Sequence, residues 1–214
     1  MTNQAIEYAH TNAERFREEL FDWLRIPSVS TLPERKEDVR RAGAWLVSQL
    51  QGLGFDAELH LTGGHPIVYG EWLKAGADKP TVLVYGHYDV QPAEMADGWS
   101  SDPFEPVVRD GKIYARGATD DKGQTFIHVK ALESLIRTEG TLPVNVKMLI
   151  EGEEEVSSEH LAAFVTANIE RLKADVCVIS DTALLDINTP SIVNALRGLV
   201  YMEIHVQGPK VDLH

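Results

Sequence analysis

The sequence is poor in cysteine and in long apolar runs. Cys177 is the only cysteine among 214 residues, so no intrachain disulfide can form, which fits a reducing compartment. It lies in the apolar run 176–179, which predicts a buried and inert thiol. No stretch approaches the ~18 apolar residues of a membrane span, and residues 1–7 lack a basic segment followed by an apolar one. These absences predict a cytoplasmic protein with no membrane partner.

Positive charge is also scarce. Lys and Arg total 20 against 33 Asp and Glu, which gives a formal net charge of −13, and no Lys/Arg cluster stands out. Such a chain repels a phosphate backbone, so we expect no nucleic-acid partner. The 43% hydrophobic and 25% charged residues are ordinary globular values, and no internal repeat or low-complexity segment occurs. The composition therefore predicts a folded globular chain.

Hydrophobic periodicity predicts alternating helices and strands. Apolar residues recur at helical spacing in four segments: 5–24, 36–53, 124–137 and 158–172. Strand patterns occupy four others: 55–59, 81–85, 144–150 and 176–179. The last three are continuous apolar runs, which suit strands covered on both faces. Strands that alternate with helices predict an α/β fold with a mostly parallel sheet sandwiched by helices.

Side chains suited to metal chemistry lie at the ends of these elements. Six of them follow a predicted strand or precede a predicted helix within a few residues: His87, Asp89, Asp120, Glu154, Glu155 and Asp181. Because open α/β sheets bind ligands at the carboxyl ends of their strands, we expect these side chains to converge. Imidazole and carboxylate groups bind divalent cations, and a hydrolytic site also needs a carboxylate that handles protons. The pattern predicts a hydrolytic metal site.

Four motifs in one order identify a family. They are Gly-His-x-Asp-x-x-Pro at 86–92, Arg-Gly-x-x-Asp-Asp-Lys-Gly at 116–123, Glu-Glu at 154–155 and Val-Ile-Ser-Asp at 178–181. Together they resemble the dinuclear zinc peptidase family of carnosinases, bacterial dipeptidases, acetylornithine and succinyl-diaminopimelate deacylases and carboxypeptidase G. The resemblance covers the amino-terminal half of such enzymes. It implies a catalytic domain over residues 1–194 and the beginning of an α+β lid or dimerisation domain over residues 195–214, where alternation at 199–206 predicts a strand.

The resemblance also implies metal ligands. It implies two Zn²⁺ per active site, with Mn²⁺ as the alternative. His87 and Asp181 would bind one metal, Glu155 would bind the other, and Asp120 would bridge both. Asp89 would orient His87 through a hydrogen bond to its other ring nitrogen. A cis peptide bond is implied directly after Asp120. The other reading of residues 119–121 is a helix N-cap, and both can hold, since Thr119 or Asp121 can cap while Asp120 binds metal.

Catalytic roles follow from the same resemblance. Glu154 matches the general base that takes a proton from a metal-bridged water, so that hydroxide attacks a peptide carbonyl. Glu153 is expected to be a bystander, and Ser157 stands where the family commonly has glycine. His214, which follows Asp-Leu, resembles a lid histidine that reaches into the partner subunit's active site and stabilises the oxyanion. A full-length protein is therefore expected to form a homodimer through the lid.

The resemblance is compatible with more than one class of substrate. An aspartate at position 181 is more typical of dipeptidase members, which favours dipeptides or short peptides. The alternatives are an N-acyl amino acid deacylase on the same site and an inactive metal-binding fragment. We consider an inactive fragment because the resemblance implies a last histidine ligand beyond residue 214. The second metal would then receive only Asp120 and Glu155 from this chain. The 214-residue chain alone is then expected to show little activity.

Overall fold

The structure is a computed structural model that describes residues 3–189 and 191–211. The chain divides into two compact units, and the division falls after Asp181. The described residues of the first unit form five α-helices: α1 (Asn3–Thr11), α2 (Ala13–Leu24), α3 (Lys36–Gly52), α4 (Lys122–Glu139) and α5 (Leu161–Ala167). They also form seven strands: β1 (Asp56–His60), β2 (Ile67–Trp72), β3 (Thr81–His87), β4 (Val107–Arg109), β5 (Lys112–Tyr114), β6 (Asn145–Glu151) and β7 (Val176–Ile179).

Five of these strands form the central sheet, in the order β1-β2-β6-β3-β7. Strand β3 pairs in parallel with both β6 and β7, whereas β2 is antiparallel to its neighbours β1 and β6. All strands of this sheet except β2 therefore run in one direction, and the predicted mostly parallel sheet is confirmed. The ends of β3, β6 and β7 consequently meet at one edge of the sheet.

Helices cover both faces of the sheet. On one face, Trp23, Leu46 and Phe126 from α2, α3 and α4 pack with Val84 and Met148 of the sheet. On the other face, residues of α5 and the turn after it pack on strand residues: Phe164, Leu172, Ile67, Tyr69 and Leu149. Full burial of one such side chain contributes roughly 1.5–3 kcal/mol. The predicted sandwich of helices around the sheet is confirmed.

Two predicted helices differ from the observed ones. The segment 5–24 forms α1 and α2 rather than one helix, and the chain breaks at Asn12, whose side-chain amide donates to the Tyr8 carbonyl at 2.9 Å. This side-chain bond competes with the regular backbone ladder. The segment 158–172 is helical only over α5, and turns follow it up to Leu172, which still packs in the core.

Three strands were not predicted. Strand β2 lies between β1 and β6, and its Gly70 packs so closely that an added Cβ would lie 3.1 Å from Leu50 and 3.3 Å from Ala57. Strands β4 and β5 form a separate hairpin around Asp110 and Gly111, with φ of 50° and 73°. An Asp-Gly pair is a strong hairpin signal because both turn residues need positive φ.

Strand β7 is more exposed than predicted. It lies at the edge of the sheet, and Val176 and Ile179 are 54% and 57% exposed. Cys177 is exposed as well, so the prediction of a buried thiol is wrong. Its partial desolvation nevertheless raises the pKa of the thiol, which disfavours the reactive thiolate. An apolar run shows only that a strand is suitable for burial, whereas position in the sheet decides whether both faces are covered.

The second unit has little regular structure. Over 182–189 and 191–211, the described residues form one isolated bridge, Asp186 with Thr189, and no helix or named strand. The predicted strand at 199–206 is therefore wrong, because a strand needs a hydrogen-bonding partner and the described part of this unit supplies none. The domain boundary near Ala195 stays a prediction. Across the described residues, no helix has the length and apolar character needed to cross a membrane.

Candidate metal centre

His87 is the last residue of β3 and is almost completely buried. Its ring Nδ1 lies 3.0 Å from the Asp89 carbonyl oxygen and 3.4 Å from the Asp89 carboxylate. A proton on Nδ1 that is donated to Asp89 leaves the Nε2 lone pair free for a metal. The orienting contact with Asp89 is thus present, and the backbone carbonyl is the nearer partner.

The Nε2 atom of His87 faces two carboxylates. It lies 3.0 Å from Asp120 Oδ1 and 3.6 Å from Asp181 Oδ2. One ligand atom from each of these three residues lies within 4.8 Å of the other two. A catalytic zinc uses three nitrogen or oxygen ligands from the protein at about 2.0–2.2 Å, and this donor set fits that requirement. The structure therefore brings together the three residues predicted to hold the first metal.

The electrostatics of the cluster favour a cation. Burial lowers the pKa of His87, but the hydrogen bond with Asp89 and the negative charges of Asp89, Asp121 and Glu154 raise it to about 10. Burial, together with neighbouring carboxylates, also raises the pKa of Glu154 and of Glu155. Negative charge is therefore concentrated around the ring, and a bound cation would relieve the repulsion between the carboxylates.

The glutamate pair follows β6 in a short 3-10 turn, Glu154–Val156. The backbone N–H groups of Glu154 and Glu155 donate to the two carboxylate oxygens of Asp89, at 3.2 and 3.1 Å. Glu154 Oε2 lies 4.0 Å from His87 Nε2, and Gln91 Nε2 donates to the Glu155 carboxylate at 2.8 Å. Asp89 therefore orients both His87 and the turn that carries the pair.

Asp121 is a buried carboxylate whose position was not predicted. Its Oδ2 accepts hydrogen bonds from the His87 N–H and the Thr125 hydroxyl, each at 3.1 Å, and the structure shows no hydrogen-bond partner for Oδ1. The side chain makes no capping bond to α4, so the helix-cap reading is wrong for this carboxylate. Burial raises its pKa to about 6. The peptide bond between Asp120 and Asp121 is cis, as the resemblance implied.

A second unpredicted contact lies beside Asp181. The hydroxyl of Ser180, the residue before it, is 2.6 Å from His128 Nε2 on α4. Burial lowers the pKa of His128, which favours a neutral ring in this hydrogen bond. The end of β7 is thereby tied to the same helix that follows Asp120 and Asp121. His214, the predicted oxyanion residue, lies outside the described residues.

Ser157 ends the turn that carries the glutamate pair, with φ of 75°. We expect Ser157→Gly to raise the free energy of unfolding by roughly 0.5–1 kcal/mol, because glycine adopts positive φ without a Cβ clash. Urea denaturation followed by circular dichroism measures this change. Ser158→Gly is the matched control: its φ is 52°, but its hydroxyl donates to Glu151 at 2.9 Å, so no gain is expected. A Ser157→Gly protein no more stable than the wild type would contradict the prediction.

Known proteins resemble this chain over most of its length. Residues 83–211 match the model of peptidase family M20/M25/M40. The Cys-Gly metallodipeptidase of Schizosaccharomyces pombe is 40% identical over 204 residues, covering 88% of this chain and 42% of the relative. The Beta-Ala-His dipeptidase of Homo sapiens is 33% identical over 228 residues, covering 100% of this chain and 45% of the relative. The crystal structure of human carnosine dipeptidase 1 superposes with a TM-score of 0.77 at 35% identity, covering 83% of this chain and 40% of that one.

These matches confirm the resemblance drawn from the four motifs. The chain spans less than half the length of the curated relatives it matches. Since the family model matches more than half of the chain, including the positions of His87, Asp120 and Asp181, the chain belongs to peptidase family M20/M25/M40.

Proposed function

We propose that this chain carries the metal site of a metallopeptidase that hydrolyses dipeptides or short peptides. The observation that carries the proposal is the convergence of His87, Asp120 and Asp181, whose ligand atoms lie within 4.8 Å of one another. The glutamate pair at 154–155 lies beside this cluster, so ligands and a proton-handling carboxylate occur together. A hydrolytic metal centre requires both.

In this proposal the metals are two Zn²⁺, with Mn²⁺ as the alternative. His87, Asp120 and Asp181 would hold one ion, and Glu155 together with Asp120 would hold the other. When bound, such ions lower the pKa of a shared water and polarise the substrate carbonyl. The Asp120 side chain is 53% exposed, which supports the proposal because it is not fully enclosed by the three-residue cluster.

Glu154 is proposed as the general base. Its side chain is 39% exposed, so water and substrate can reach it, and its Oε2 lies 4.0 Å from His87 Nε2. Burial and the nearby carboxylates raise its pKa, which makes it a better proton acceptor near neutral pH. Glu154 would take the proton of the attacking water and deliver it to the leaving amine nitrogen as the peptide C–N bond breaks.

Dipeptides are the proposed substrates. Two of the relatives are named for dipeptide hydrolysis, one for Cys-Gly and one for Beta-Ala-His. The lid over residues 195–214, the oxyanion role of His214, the homodimer and the cytoplasmic location stay predictions from the sequence.

A substrate panel tests the proposal. Metal-depleted protein, both this chain and any longer polypeptide that contains it, would be resupplied with Zn²⁺ or Mn²⁺ and assayed with Cys-Gly, Beta-Ala-His and N-acyl amino acids. We expect metal-dependent hydrolysis of a dipeptide by the longer polypeptide and little activity from the 214-residue chain alone. Hydrolysis of N-acyl amino acids alone would identify a deacylase, and metal binding without turnover in every form would identify a non-catalytic metal-binding protein.

A further inference from the structure

We propose that Glu153 is a positioning residue that holds the Glu154–Glu155 pair in place by clamping it to the loop between β1 and β2. The inference rests on the proposed function, because the clamp affects catalysis only if Glu154 and Glu155 have the roles proposed above. The contacts that make up the clamp are independent of those roles. They involve Glu153, Gly64, His65 and His160.

The Glu153 side chain is buried and well bonded. Glu153 is 7% exposed, and its carboxylate accepts hydrogen bonds from the backbone N–H of His65 at 2.9 Å and of His160 at 3.3 Å. The same carboxylate lies 2.9 Å from His160 Nδ1. A buried carboxylate is costly unless it is hydrogen-bonded, and Glu153 meets this condition. It is not the bystander expected from the run of three glutamates.

The loop that receives Glu153 is shaped to fit it. A Cβ added to Gly64 would overlap Glu153 Oε1, and one added to Gly63 would lie 2.6 Å from His160 Nε2. Neither glycine has positive φ, so space rather than backbone conformation requires glycine at both positions. Two consecutive glycines therefore allow the loop to approach the Glu153–His160 pair closely.

The clamp connects a fixed part of the fold to the glutamate pair. His65 Nε2 lies 2.9 Å from the Ser30 carbonyl oxygen, so the loop is itself anchored to the segment after α2. Glu153 directly precedes the 3-10 turn, and its own carbonyl accepts the N–H of Val156 at 3.1 Å and of Ser158 at 2.8 Å. Fixing the Glu153 side chain therefore fixes the start of the turn, while Asp89 holds the two N–H groups that follow.

Amide hydrogen exchange by NMR tests the clamp. Glu153→Gln removes the charge, and Gly64→Ala pushes the loop away while leaving Glu153 intact. In both variants the amides of Glu154 and Glu155 should exchange roughly 10-fold faster or more, as expected when local protection is lost. The His87 amide, which donates to Asp121 at 3.1 Å, should exchange at the wild-type rate.

Matched controls separate the clamp from general destabilisation. Glu159→Gln changes an exposed glutamate nearby, and Gly52→Ala adds a Cβ that meets nothing within 4 Å, so neither should alter the two amides. Unchanged exchange of Glu154 and Glu155 in both clamp variants, or equal acceleration at His87, would overturn the proposal.

A kinetic measurement adds a second test. In a polypeptide with dipeptidase activity, both clamp variants should lower kcat while KM is retained. Faster exchange of the Glu154 and Glu155 amides in a protein that hydrolyses no peptide would support the clamp and contradict only the proposed function.

Discussion

Replacing Asp120 with alanine is expected to abolish tight zinc binding, whereas Glu155→Ala is expected to leave one zinc bound per chain. Asp120 Oδ1 lies 3.0 Å from His87 Nε2 within the three-residue cluster, and Glu155 is not part of that cluster. Loss of an outer partner typically weakens metal binding by roughly 10–100-fold, so loss of a direct ligand should cost more. Zinc titration with elemental analysis after dialysis measures the difference.

The proposed bridging role of Asp120 gives a second expectation for substitutions at the ligand positions. In a polypeptide that holds two metals, Asp120→Ala should lose both ions, while His87→Ala or Asp181→Ala should lose one. The control is Asp78→Ala, because the Asp78 side chain is 80% exposed and lies outside the metal cluster. Equal partial losses in all three ligand variants would remove the bridging assignment.

Glu154→Gln is expected to retain its metals and lose turnover by a factor of ~10² or more, the range for removal of a general base. Glutamine preserves the shape of the side chain but cannot take up the proton. The measurements are kcat with a dipeptide and zinc content on the same sample, made on a polypeptide that shows the activity.

Glu155→Gln is the matched control for that experiment. It removes the same charge one residue away, where the carboxylate accepts a hydrogen bond from Gln91 at 2.8 Å. Glu155→Gln should lower the metal content, whereas Glu154→Gln should lower only the turnover. If Glu154→Gln instead lost metal and Glu155→Gln kept it, the two roles would be assigned in reverse.

Local patterns were sufficient to predict much of the sheet. Continuous apolar runs marked β3, β6 and β7, and the observed strands extend these runs by at most a few residues. Strand β2 was missed because Ile67–Trp72 contains Gly70 and Glu71, which weaken the pattern of a buried strand. Strand β2 lies between β1 and β6 and packs against α3, where Gly70 is close to Leu50. The sequence of β2 alone does not indicate these tertiary contacts.

The convergence of His87 and Asp181 could be predicted because the sheet topology brings the strand ends together. The positions of Glu153 and Asp121 could not, because they depend on partners distant in sequence. Glu153 is buried by a loop 88 residues away, and Asp121 holds a backbone N–H 34 residues away. In the sequence alone, both carboxylates look like solvated or capping groups.

The errors at Cys177 and at 199–206 have a related cause. The apolar run around Cys177 shows a suitable strand, but its exposure follows from its place at the sheet edge. Alternation at 199–206 likewise shows a suitable strand, but pairing requires a neighbour. Hydrophobic periodicity indicates that a segment can form a strand. Tertiary contacts determine whether that strand is paired and how much of it is buried.

A crystal structure of the protein grown with zinc, using anomalous scattering at the zinc edge, would locate the metal directly. We expect a zinc peak at about 2.0–2.2 Å from His87 Nε2 and from one carboxylate oxygen each of Asp120 and Asp181. A zinc bound elsewhere on the chain, with His87 Nε2 free of metal in crystals grown with zinc, would contradict this expectation.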